Sequence, residues 1–358
     1  MTIKHDDYLG RELPSFAEPA RAPAGHAPLR RPGSVRRTMS IEVVWPEGVS
    51  GPGSYWGRAR DIWTAPHGGN PVVLADDRLM AVANSRKIVS AVSDPPRLAL
   101  ASLAGASGGG HLRGAIDAAL PEEKRAGSPL YLLLDDMAGA TLISAWAFAP
   151  WNAKGTASPE RVNARIRSME GVCIGFRPGS SALELDGNSG IVANHVAVLP
   201  LPHPDDPVGW HEMIERDRIN FRRARRIDVW RDGDLLRIDS MFQDSAGAPG
   251  GGRVAIHEYR LTATAGAGAQ TLLSIEATPG TLPYRECRAA PVNLPTLLGT
   301  PLVDLRDTVL DRLRATAGCT HLNDMVRALA EVPMLAASAG FENPRDALAH
   351  PFVDLRCL

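Results

Sequence analysis

The chain has 358 residues, 44% of them hydrophobic and 22% charged, with 39 Lys+Arg against 40 Asp+Glu. That length suits two compact domains, and that composition excludes wholesale disorder. A net charge of −1 excludes the basic footprint of a nucleic-acid binder, and four cysteines are too few for a disulfide scaffold.

In chain order, residues 1–33 are rich in Pro, Ala and Arg without a periodic apolar face, which predicts an extended tail or surface strap. No apolar leader segment is visible at the start, and the stretch Ala138–Trp151 is shorter than the ~20 residues of a membrane helix. The expectation is a soluble, cytoplasmic protein that does not engage a membrane, with a homodimer allowed.

From residue 34 onward the chain reads as two unequal copies. Arg36-Arg37 leads into Ile41-Glu42-Val43, and Arg225-Arg226 leads into Ile227-Asp228-Val229. Pro95-Pro96-Arg97 answers Pro283-Tyr284-Arg285. Leu112-Arg113 answers Leu305-Arg306, and Leu134-Asp135-Asp136-Met137 answers Leu322-Asn323-Asp324-Met325. Four matches in the same order predict a duplication. The boundaries follow as a first, degenerate repeat over 34–195, a linker over 196–220 and a second repeat over 221–358.

In the first repeat a helix is expected over Leu112–Leu120. The Gly-rich segment before it lacks the Lys-Ser/Thr of a P-loop, so a nucleotide site is not expected. In the second repeat, Ile227–Trp230 and Leu235–Phe242 flank Asp232-Gly233-Asp234 as a hairpin, and Val254–Thr264 with Gln270–Ala277 form another. Leu302, Leu305, Val309 and Leu313 then fall at helical spacing, and a second helix turns Leu322, Met325, Val326 and Leu329 inward. The predicted class is α+β: two small antiparallel sheets, each with helices on one face, related by a pseudo-twofold axis.

The densest polar group is Gly318-Cys319-Thr320-His321-Leu322-Asn323-Asp324. With Thr320 as N-cap, Cys319 and His321 sit at the positive end of a helix, which favours a thiolate and a neutral imidazole. Cys319 and His321 are therefore the candidate reacting pair, with Asp324 or His257 orienting them. Asp135 and Asp136 end an apolar run, where desolvation would raise their pKa values and suit a proton donor. The corresponding positions of the first repeat hold Tyr131 and Leu133 in place of Cys319 and His321. Arg177, as an anion clamp, and Tyr284 are candidate substrate contacts. A different reading assigns Cys287, Cys319, His321 and Cys357 as a tetrahedral set for zinc or iron.

Gly318-Cys319-Thr320-His321-Leu322, with His257-Glu258-Tyr259 and Pro283-Tyr284-Arg285-Glu286-Cys287 upstream, resembles a bacterial domain-of-unknown-function family over about residues 222–337. That resemblance implies no activity. The order of hairpins then helices is also similar to iron–sulfur scaffold domains, whose full cysteine pattern is missing here. The functional expectation is a cofactor-independent small-molecule enzyme of lyase, hydratase/dehydratase or isomerase type acting on a fairly apolar substrate. The alternatives are a metal-binding or metal-delivery module and a non-catalytic ligand-binding protein.

Overall fold

A computed structural model describes residues 25–151, 159–184 and 196–341. The first half supplies strands β1 (Ser34–Val44), β2 (Gly53–Thr64), β3 (Val72–Asn84) and β4 (Lys87–Asp94). Helices α1 (Gly110–Ala119), α2 (Pro121–Ala126) and α3 (Pro129–Ile143) follow, then α4 (Pro159–Arg167). After the short β5 (Val196–Val198) come β6 (Asn220–Asp232), β7 (Leu235–Gly247), β8 (Arg253–Gly266) and β9 (Leu272–Pro279). Helices α5 (Leu305–Arg312), α6 (Thr320–Arg327) and α7 (Val332–Ser338) close the described chain. Both hairpins and both helices expected in the second half are present, and Gly233 at φ +59° makes the first hairpin turn.

The mixed helix-and-strand class holds, but the two small sheets are one. Nine antiparallel strands run in the order β4-β3-β2-β1-β6-β7-β8, with β5 and β9 both paired to β8. The joint is β1 against β6, from Ser34 opposite Trp230 to Val44 opposite Asn220. Every residue of β1 is buried, as a strand covered on both faces must be. On one face Val35, Met39, Ile41 and Val43 join Phe221, Ile227 and Val229 under the helices. On the other, polar side chains are covered by the chain around residues 201–213. Trp210 and Leu201 pack there on Ala224, Met241 and Ala27, and His211 bonds Thr38 at 2.9 Å and Ser40 at 2.7 Å.

Met39 faces Arg225 across the joint. Turning the sheet about that pair lays Arg36-Arg37 on Arg222-Arg223 and Ile41-Glu42-Val43 on Ile227-Asp228-Val229. The equivalence of Arg36-Arg37 with Arg225-Arg226 is therefore out of register. Arg37 points to the helices, bonding the Gly127 carbonyl, whereas Arg226 points the other way to Asp228 and Asp239. Further pairings agree between the halves. Arg37 forks Asp61 and Arg223 forks Asp244. A register shift follows Asp61 in one half and Asp244 in the other, and a second follows Val82 and Thr264.

Pro129–Trp151, which joins α3 to the turn after it, is 23 residues long and apolar enough to cross a membrane by length and composition. It therefore exceeds the stretch considered from sequence. Here it is a core helix: α3 packs Leu130, Leu132, Leu133, Leu134, Met137, Ala138 and Ala140 into the main core and carries two buried aspartates.

Candidate functional site

Strand alternation builds the floor of the site. Leu236, Ile238 and Phe242 of β7 point to the helices, and Asp244 follows on the same face. His257 of β8 sits directly opposite it, in phase with Tyr259 and Leu261. The start of α6 drops Cys319 and His321 onto this floor. His257 and His321 stack with ring centroids 3.6 Å apart and planes 20° apart. Asp244 Oδ2 lies 3.2 Å from His257 Nδ1 and 3.8 Å from His321 Nε2.

The thiols complete the cluster. Cys319 has Cys287, His321 and Tyr259 as its neighbours. The Tyr259 hydroxyl also reaches the Cys287 carbonyl at 3.0 Å, so its one hydrogen serves either neighbour. Cys173 lies against the same group, brought there by the Ile174 amide donating to the Gly318 carbonyl at 2.8 Å. Gly175 admits Cys287, whose Sγ would be 2.7 Å from any Cβ at that position. Gly318 is extended, at φ −138°, and its lack of a Cβ serves close approach to the Leu313 carbonyl, not a special turn.

Electrostatics sort these groups. Burial pushes the Asp244 carboxyl up, but Arg223 and His257 outweigh it and hold the group well below the usual carboxylate range. Burial and the His321 ring bring His257 down to about 4. Contact with Cys287 favours a Cys319 thiolate, burial opposes it, and His321 and Tyr259 add support, so its pKa falls well below the ordinary value. Cys287 is pushed up by the same contact and by burial, and burial raises Cys173 to about 12. An aromatic wall borders the site. Trp146 lies 5.5 Å from His257 and 6.3 Å from Tyr284, and Phe176 lies 5.2 Å from Tyr284.

The structure brings Cys319, His321 and His257 together, with Cys287 beside them. Three expectations change. The residue capping α6 is Cys319, with no side-chain cap bond, and Thr320 is the first helical residue. Asp324 does not orient His321. It binds Arg113 at 2.7 Å and lies 3.8 Å from Arg223. Asp135 and Asp136 are ion-paired carboxylates, not proton donors. Burial raises Asp135, but Arg113, Arg327 and Arg306 hold it well below the usual range, and Arg225 grips Asp136 with two bonds of 2.9 and 2.7 Å. The Arg222–Arg226 run is buried throughout.

Tyr284 is buried in the aromatic wall, and Arg177 is half-buried at the end of the turn that follows Cys173. Cys357 lies outside the described residues. The missing member was Asp244. Its signal was the alternation Leu236, Ile238, Phe242, which continues to it in phase.

Asp244, His257 and His321 offer ligand atoms within 4.8 Å of one another, a carboxylate and two imidazoles of the kind that hold transition metals. Near-parallel rings carry their lone pairs side by side, so one ion would require one ring to turn.

Residues 221–335 match the family described as Protein of unknown function (DUF2889). The DUF2889 segment contains Arg223, Asp244, His257, Tyr259, Cys287, Cys319 and His321. Cys173, Phe176 and Trp146 reach the site from outside it. No curated protein and no solved structure matches the chain.

Proposed function

We propose that this protein is a small-molecule enzyme in which Cys319 and His321 carry thiol and acid/base chemistry of lyase, hydratase or isomerase type. One observation carries this reading: an unbroken contact path from the Arg223–Asp244 ion pair through the stacked imidazoles to Cys319. A carboxylate fixing an imidazole that neighbours a thiol is the arrangement that lets the imidazole take and return a proton while the thiol attacks. Trp146, Tyr284 and Phe176 supply an apolar wall for the substrate. The test is covalent capture with a panel of small α,β-unsaturated acyl compounds and epoxides, read by peptide mass spectrometry. An adduct on Cys319 that is lost in His321→Ala supports the reading. Adducts spread over the other thiols, or insensitive to His321, overturn it.

We also infer that the halves descend from one duplicated unit, on the strength of the matched registers, register shifts and Arg–Asp forks. Opposite Asp61, where the second half has His257 opposite Asp244, the first half has Ala75. One half then carries the chemistry and the other supports it.

A second reading is a metal site at Asp244, His257 and His321, favoured by the convergence of their ligand atoms. Metal analysis of protein purified without chelator decides it. Stoichiometric zinc or iron lost in His257→Ala supports this second reading, and metal-free folded protein overturns it.

A further inference from the structure

Three thiols from distant parts of the chain meet here, and the relay uses only one of them. Cys287 and Cys319 are free, buried and close enough to influence one another, and Cys287 Sγ and Cys173 Sγ both border Gly175. Cys287 and Cys319 come from two different segments, 285–297 and the start of α6. Cys173 abuts the pair, and Gly175 leaves the room that Cys287 occupies. Buried cysteines ordinarily serve as small apolar fillers scattered through a core. Two buried as neighbours in one cluster, one of them beside an imidazole, form a dithiol.

We infer that Cys287 and Cys319 are a modification site, closing to an intramolecular disulfide when Cys319 meets a hydroperoxide. The inference rests on Cys319 being the reacting thiol of the relay. Cys319 Sγ attacks the peroxide, an S–O bond forms, the O–O bond breaks, and an alcohol, or water from hydrogen peroxide, leaves with one proton. The resulting sulfenic acid is then attacked by Cys287 Sγ. The S–S bond forms, the S–O bond breaks, and water leaves with the Cys287 proton. Two thiols are oxidised and one peroxide is reduced. His321, at the outer side of the cluster and partly exposed, marks where a water-sized oxidant enters. Closure removes the nucleophile from the relay, and a dithiol reductant restores it.

The experiment treats the full-length protein with one equivalent of hydrogen peroxide and maps linked peptides with and without dithiothreitol. The expected result is a Cys287–Cys319 link reversed by reduction, with free thiols falling from four to two. Cys173→Ser keeps that link, and Cys287→Ser leaves Cys319 as a sulfenic acid that a second equivalent of peroxide carries on to sulfinic acid. A link from Cys319 to Cys173, or Cys319 oxidised while Cys287 stays free in folded wild type, overturns the inference. Failure of the relay reads differently: Cys319 in reduced protein then shows no preference over the other thiols for an electrophile.

Discussion

His257 and His321 lie face to face at 3.6 Å, and both look at the same oxygen of Asp244. One buried carboxylate thus serves two rings and one guanidinium, since Arg223 forks it from the strand alongside. Removing its charge leaves Arg223 buried without its main partner. Asp244→Asn is therefore expected to lower stability by about 3–5 kcal/mol in urea denaturation. Adding Arg223→Met to that variant should restore part of the loss, because the orphaned charge leaves with it. A loss below about 1 kcal/mol would show that Arg223 is held by Asp136 and Asp324 instead.

Gly318 tests the tightness of the loop that carries Cys319. A Cβ there overlaps the Leu313 carbonyl and comes within 2.7 Å of the Asn323 side chain. Asn323 itself donates to that carbonyl at 2.7 Å, so neither neighbour has room to retreat. Gly318→Ala should destabilise by about 1–3 kcal/mol, as overpacking does, and denaturant midpoints measure it.

The secondary structure of the second half was legible because alternation and helical spacing are local signals. Leu235–Phe242 and the Leu305, Val309, Leu313 series carried their own periods. Strand partnership is not local. Nothing in Ile41-Glu42-Val43 says that β6 will lie beside it, which is why the sequence suggests two sheets where the fold has one. Asp135 and Asp136 misled for the same reason. Apolar neighbours in sequence suggest desolvated carboxyls, whereas the ion-pair partners Arg113, Arg306, Arg327 and Arg225 arrive from elsewhere in the chain. Asp244 is in phase with its strand, but an isolated Asp at a strand end carries no local signal that a histidine pair will face it.

His211 gives a pH signature remote from the site. Burial, with Arg58, Arg60 and Arg222 nearby, holds its pKa well below the ordinary value of 6.5. The folded state therefore keeps the ring neutral between Thr38 and Ser40 while the unfolded chain protonates it. Stability is complete above about pH 6.5 and falls by up to about 1.4 kcal/mol per pH unit below it. Denaturation midpoints across pH 4 to 7 (about the His range) should show this slope shrinking in His211→Gln. An unchanged slope would place the titration elsewhere.

Arg225 and Asp136 test the joint. They pair with two bonds next to the Met39–Arg225 crossing, and both are fully buried. Arg225→Met, which copies the residue opposite, should cost about 3–5 kcal/mol by stranding Asp136. Joining it with Asp136→Leu should recover most of that loss in a double-mutant cycle, measured in urea. Equal losses in single and double variants would mean that packing rather than charge holds the joint.

The most direct measurement of the relay is the alkylation rate of each thiol in reduced, folded protein with iodoacetamide at neutral pH, resolved by peptide mass spectrometry. The predicted result is Cys319 reacting at least about tenfold faster than Cys173 and Cys287, as thiolate character dictates, with that advantage lost in His321→Ala and reduced in Asp244→Asn. Uniformly slow reaction of all three buried thiols, or a fast Cys319 indifferent to His321, would contradict it.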